Sequence, residues 1–120
     1  MKVEFDNDRP IYIQLVEQLK KMIISSEYYP GSKLPSIRDI SSQFKINPNT
    51  VQKALQELEN DKLIYTERTN GKYVTKDTKL INKIKENIAL ESTKKYINDM
   101  KQIGMTKKEI ITFIDREDDK

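Results

Sequence analysis

Asn49, Thr50, Gln52, Lys53 and Gln56 fall on one side of a segment whose other side, Val51, Ala54, Leu55 and Leu58, is apolar at helical spacing. Asn and Gln amides pair with both hydrogen-bonding groups on the major-groove edge of adenine. A Thr hydroxyl bonds a base or a phosphate, and a Lys ammonium reaches guanine or phosphate. The chemistry on offer is recognition by hydrogen bonds rather than bond making. A solvated helix face has the same composition, so position must separate the two readings. The stripe opens at Asn47-Pro48, an N-cap residue followed by a proline suited to the first helical position. A helix N-terminus offers free N–H groups and a positive dipole end to phosphates.

Two other groups carry similar chemistry. Arginine is scarce, 4 of the 22 basic side chains, and Arg38 stands one turn into a short helical segment beside Ser36. Its planar donor fork suits phosphate or guanine; the alternative is an ion pair with Asp39 or a neighbouring acid. Arg68, Asn70, Gly71 and Lys72 cluster at the tip of a hairpin. There they form either a wing that enters the minor groove or runs along the backbone, or a plain solubilising turn.

Composition narrows the function classes. The absence of Cys and His excludes disulfides, thiolate nucleophiles, His-dependent triads and nearly every zinc site. The acids are scattered, with no pair of carboxylates in a context that would shift their pKa values, so neither an enzyme nor a cofactor is expected. No apolar run exceeds three residues, as at Met22-Ile23-Ile24, and the N-terminus carries acids where a signal peptide needs basic and then apolar residues. A cytoplasmic protein without membrane partners is expected. The net charge of +3 is modest, but residues 33–76 hold 8 basic and 5 acidic side chains, so the excess sits in the middle.

The elements that must position these groups are legible in order. Pro10 suits a first helical turn, and Ile11, Leu15, Leu19, Met22 and Ile23 recur at helical spacing to about Ser25. Tyr29-Pro30-Gly31-Ser32 reads as a type II turn and Lys33-Leu34 as a short extended piece before Pro35. Ser36 with Asp39 forms a capping box for a helix from about Ile37 to Phe44, and Asn47-Pro48 starts a third helix that stops near Asp61-Lys62. Strands at 63–66 and 72–75 flank the turn Thr69-Asn70-Gly71. After a polar boundary at 76–79, a long helix runs from about Leu80 to Gln102 and ends at Gly104. Thr106 with Glu109 caps a last helix carrying Ile110, Ile111, Phe113 and Ile114.

This order is that of a winged helix-turn-helix, and three stretches resemble the N-terminal domain of GntR-type bacterial transcription regulators. They are Pro10-Ile11-Tyr12-Ile13-Gln14-Leu15, the run from Pro30 to Ile40 and the run from Ile46 to Glu59. The resemblance spans residues 10–76. It implies that Arg38, Asn47, Asn49, Thr50, Gln52 and the wing glycine Gly71 contact operator DNA. Ser36, Lys53, Arg68, Asn70 and Lys72 complete the set expected to face double-stranded DNA. Two departures stand out: Thr69 replaces the first glycine of a common Gly-x-Gly wing, and Leu55 stands where many members carry Tyr.

The remaining 44 residues are too few for the ligand-binding domain of most of the family and look like the two-helix dimerisation appendage of its small YtrA-like branch. Ile81, Ile84, Ile88, Ile97, Met100, Ile110, Phe113 and Ile114 cannot all be buried in two helices. A second copy of the chain is expected to cover them, the alternative being that the helices fold back on the winged helix. With only 36% hydrophobic residues, the chain is also short of core. The expected protein is therefore mostly α with a small β-hairpin. Residues 1–76 form a winged helix-turn-helix and 77–120 a dimerisation segment, the whole being a homodimeric repressor on an inverted repeat. A winged-helix module that binds protein instead of DNA is the alternative, and the residues identify no effector.

Overall fold

The computed structural model describes residues 4–68 and 70–117. Its elements are α1 (Ile11–Ile24), α2 (Ile37–Phe44), α3 (Pro48–Asn60), β1 (Ile64–Glu67), β2 (Gly71–Val74), α4 (Thr78–Gln102) and α5 (Lys107–Glu117). They fall into two compact units, Met1–Asn82 and Lys83–Lys120, so the first turn of α4 belongs to the first unit.

The core of the first unit is built on α3. Val51, Ala54, Leu55 and Leu58 are buried, and they meet Leu15, Leu19, Met22 and Ile23 from α1 and Ile40 from α2 in one apolar centre closed by Leu63, Ile64 and Val74. Gln14 is the one buried polar side chain among the described residues. Its amide accepts from the Asp6 N–H (2.9 Å) and donates to the carbonyls of Asp6 (2.8 Å) and Arg9 (2.9 Å), so it is satisfied while it pins the N-terminal segment to α1. Phe5 then packs edge-on against Phe44 of α2, with centroids 6.1 Å apart.

The helix ends follow local chemistry. Ser36 and Asp39 form the capping box of α2, and the Asn47 side chain accepts from the Asn49 N–H at 2.7 Å with Pro48 in the first turn of α3. Pro10 lies just outside α1 as its N-cap residue, with ψ 135°, rather than inside the first turn. Three helices end on left-handed residues other than glycine: Ser26 after α1, Lys45 after α2 and Lys62 after α3.

β1 and β2 pair antiparallel with Ile64 opposite Val74 and Thr66 opposite Lys72. Both strands are set by one residue from the expected 63–66 and 72–75. Leu63 instead donates to the Leu58 carbonyl in the turn that closes α3, and β2 begins at Gly71. The extended piece 31–34 lines the other edge of β2: Gly31 N–H to Val74 O, Val74 N–H to Ser32 O and Leu34 N–H to Lys72 O, at 3.0, 2.9 and 2.8 Å. Gly31 makes this approach with φ +82°, as the expected turn requires. Part of the hairpin turn, Thr69, lies outside the described residues.

In the second unit α4 ends in a Schellman turn, Met105 N–H to Met100 O and Gly104 N–H to Lys101 O, with Gly104 at φ +89°. Thr106 and Glu109 then cap α5 reciprocally, at 3.0 and 3.2 Å. The start of α4 is two residues earlier than the sequence reading placed it, because Asp77 accepts from the Leu80 N–H at 3.1 Å and caps the helix.

Candidate nucleic-acid interface

The capping geometry decides which groups are free to bind anything. Asp39 turns back to the Ser36 N–H (3.4 Å) and leaves the neighbouring Arg38 without a hydrogen bond or ion pair among the described residues. The intrahelical partner considered for Arg38 is thus absent, and its guanidinium stands exposed. On α3, Asn49 and Gln52 are exposed and Thr50 half-exposed, and none of the three side chains has a partner within the described chain.

Two members of the polar stripe are engaged. Gln56 donates to Asn60 Oδ1 at 3.0 Å, and the Lys53 ammonium lies 3.9 Å from the centre of the Tyr12 ring, a cation–π contact from α3 to α1. In the sequence Tyr12 stands only as part of the first GntR-like stretch, since contact between the two helices is not written in either. The N-terminus of α3 also departs from expectation. Pro48 has no N–H, the Asn49 N–H goes to the Asn47 side chain, and the Thr50 N–H goes to the Asn47 carbonyl at 3.0 Å. Side chains, not free amides, are what this helix end presents.

A cleft of about 510 Å³ brings the other groups together. Ser36, the cap of α2, with Ile37 and Arg38 of that helix forms one wall, Asn70, Gly71 and Lys72 of the wing another, and Leu55 closes the side toward α3. Lys33 also lines it, and a Cβ on Gly71 would stand 3.3 Å from Lys33 Cε. Gly71 itself has φ +96°, so a side chain there is both strained and in the way of Lys33. Arg68 at the wing is exposed and has no partner among the described residues. Lys72 differs: its Nζ donates to Glu59 Oε1 and to Thr66 Oγ1, each at 2.9 Å. The hydrogen bond from Lys72 holds the Glu59 carboxyl below its ordinary range, with a smaller contribution from Thr66. Glu59 stands 13 residues from Lys72, a distance no local pattern spans.

An exposed polar face on α3, an arginine on α2 without a partner among the described residues and a glycine-tipped wing across a cleft from it are the parts of a winged helix-turn-helix reader. The family described as bacterial regulatory proteins, gntR family, matches residues 11–74, which covers every one of these parts. The chain belongs to the GntR family.

Among curated relatives, the HTH-type transcriptional regulator YhcF of Bacillus subtilis is 32% identical over 114 residues, covering 95% of this chain and 94% of its own. The HTH-type transcriptional repressor YtrA of the same organism is 37% identical over 79 residues, 66% of this chain and 61% of that protein. A GntR family transcriptional regulator from Listeria monocytogenes superposes with a TM-score of 0.87 at 37% identity, covering 93% of this chain and 98% of that one. The DNA-binding domain of AraR, solved in complex with operator ORX1, superposes with a TM-score of 0.58 at 25% identity over 62% of this chain and 96% of that one. This GntR regulator is a DNA-binding transcription factor of a family of regulators, not enzymes.

The residues assigned to a partner face divide. Ile81 in the first unit and Ile110 in the second are buried within their own chain, 5% and 2% exposed. Ile84, Ile88, Ile97 and Met100 are half-buried, and Phe113 and Ile114 are exposed. A groove of about 750 Å³ in the second unit is lined by Tyr96, Met100, Ile103, Met105, Phe113 and Ile114, with Asp115 and Glu117 beside it. None of the described helices is long and apolar enough to cross a membrane.

Proposed function

We propose that this GntR regulator is a homodimeric, cytoplasmic repressor that binds an inverted-repeat operator, with a transporter operon, which the resemblance to the YtrA-like branch implies, as a candidate target. In this reading α3 lies in the major groove of each half-site and presents Asn49, Thr50 and Gln52 to base edges. Asn47 and Lys53 flank them. Arg38 and Ser36 hold phosphate at the cleft, and the wing follows the backbone or minor groove through Arg68, Asn70 and Gly71, with Lys72 beside them on β2. The observation that carries the reading is the freedom of Arg38, Asn49 and Gln52: exposed polar side chains on adjacent helices with no partner among the described residues.

Dimerisation is supported by the apolar groove of the second unit, where Ile103 is 73% and Ile114 53% exposed. Large apolar residues grouped this way mark an interaction surface. Repression is supported by the relative named as a repressor, YtrA.

The test is selection of duplexes from a random-sequence pool by the full-length protein. Recovery of a palindrome, bound with an affinity that falls steeply as salt is raised, is the expected result. Failure to enrich any sequence, or binding indifferent to salt, would favour a winged-helix module that recognises protein.

A further inference from the structure

Lys72 stands next to the wing glycine, where a free ammonium would meet a phosphate, yet its charge is already matched. Lys72 Nζ, Thr66 Oγ1 and Glu59 Oε1 close a three-membered ring of hydrogen bonds at 2.9, 2.9 and 3.0 Å. Thr66 and Lys72 face each other across the hairpin, and Glu59 lies in the last turn of α3. The side chains of Lys72 and Glu59 are 25% and 32% exposed, against 81% and 55% for the pair Lys95 and Asp99 on α4. A lone exposed ion pair contributes little, but a partly buried pair that shares a third polar group is better defined in geometry. The ring joins both strands of the wing to the end of the helix that carries the polar stripe.

We propose that Glu59 is a positioning residue of the interface: it draws Lys72 back onto α3, fixes the wing relative to that helix, and leaves Gly71 rather than the Lys72 ammonium to meet DNA. This rests on the reading that α3 and the wing contact DNA together. It gives Lys72 a part in binding that neutralises no phosphate. Glu59 then acts in two ways. It sets where the wing tip falls relative to Asn49 and Gln52, and it withholds one positive charge per protomer from sequence-independent attraction to the backbone.

The experiment measures affinity across a range of salt for the wild-type protein and for Glu59→Gln, Lys72→Met and the double variant. The probes are a duplex recovered by the wild type from a random-sequence pool and an unrelated duplex of equal length. Lys72→Met is expected to leave the slope of log affinity against log salt unchanged. Glu59→Gln, which keeps the size of the side chain and removes its charge, is expected to steepen that slope by about 0.9 per protomer. It should also lower the preference for the selected duplex by about tenfold, the size of one misplaced base contact. The double variant should recover the wild-type slope without recovering the preference.

A Lys72→Met slope shallower by about 0.9 per protomer would place Lys72 on a phosphate and overturn the proposal. An unchanged slope and preference in Glu59→Gln would overturn it as well. A wing merely destabilised by loss of Glu59 would weaken binding with no steeper slope, which also contradicts it. Failure of the underlying reading has a different signature, since the wild type itself would then recover no sequence.

Discussion

Arg38 and Asp39 are neighbours in sequence, but the capping box separates their fates. Asp39 is consumed by Ser36, and the guanidinium is left unmatched at the cleft. Arg38→Ala should therefore cost binding of a selected duplex about 1–3 kcal/mol while the melting temperature stays within error, and Thr50→Ala should behave alike. Unfolding of either variant in a thermal melt would make the residue structural. Asn47 is a contrasting case, because its side chain also caps α3. Asn47→Ala should lose about 1 kcal/mol of stability in addition to any loss of binding, read as a lower denaturation midpoint. The sequence marked Arg38 by the rarity of arginine, yet whether it was free depended on which way Asp39 turned. Lys62 shows a different residue-scale effect. Its φ of +65° at the end of α3 is a conformation that glycine adopts at no steric cost. Lys62→Gly should raise the melting temperature by a few degrees, since relief of strain of about 1–2 kcal/mol exceeds the entropy added to the unfolded chain.

Elements with local start and stop signals were legible nearly to the residue. Helices α2 and α3 follow Ser36-x-x-Asp39 and Asn47-Pro48, and α5 follows Thr106-x-x-Glu109. These signals need only three or four residues to act. Elements that depend on distant partners were less legible. The regular strands lie one residue nearer the hairpin tip than expected, since the Leu63 N–H goes to the Leu58 carbonyl and only its carbonyl, accepting from the Thr75 N–H, stays with the hairpin, and the third edge at 31–34 depends on residues some forty positions away. In the sequence Asp77 belongs to the polar boundary at 76–79, because Thr78 and Lys79 carry no apolar period. The same logic of local capping gives a pH prediction. The backbone hydrogen bond from Thr106, followed by its hydroxyl, holds the Glu109 carboxyl below its ordinary range. A carboxyl with a lowered folded-state value contributes stability above its unfolded value and loses it as the pH falls through the folded one. The first turn of α5 should therefore hold through the usual carboxylate range and fray only at more acid pH. Amide exchange at Glu109 and Ile110 reads this directly. Glu109→Gln should remove the dependence.

At the scale of the molecule, the boundary between the two units falls inside α4, after its first turn. A chain cut after Thr78 would lose Ile81, which is 5% exposed and part of the first unit. Loss of so buried a side chain costs on the order of 2–5 kcal/mol. A chain cut after Asn82 keeps it. That shorter chain should remain folded and sediment as a monomer, with affinity for a full palindrome lower by about 10²–10⁴-fold for want of a tethered second half-site. Ile114→Asp in the intact protein should dissociate the proposed dimer without lowering the stability of the monomer, because Ile114 is already 53% exposed. A dimer that survives both changes would move the interface into the first unit.

The strand-like piece at 31–34 bears on how the protein comes to exist at all. Its hydrogen bonds to Lys72 and Val74 close a loop of about forty residues, whereas α2 and α3 are separated by only three. Closing the longer loop carries a larger entropy loss before any contact rewards it. On a ribosome, the helical pair can assemble while the wing is still unmade. If the wing takes part in binding as proposed, competence to bind DNA arrives only after Val74 has emerged, and a stalled chain holds a helix pair without its third edge. In pulsed hydrogen exchange during refolding, the Leu34 and Val74 amides should gain protection after those of α3; simultaneous protection would place the wing in the folding nucleus.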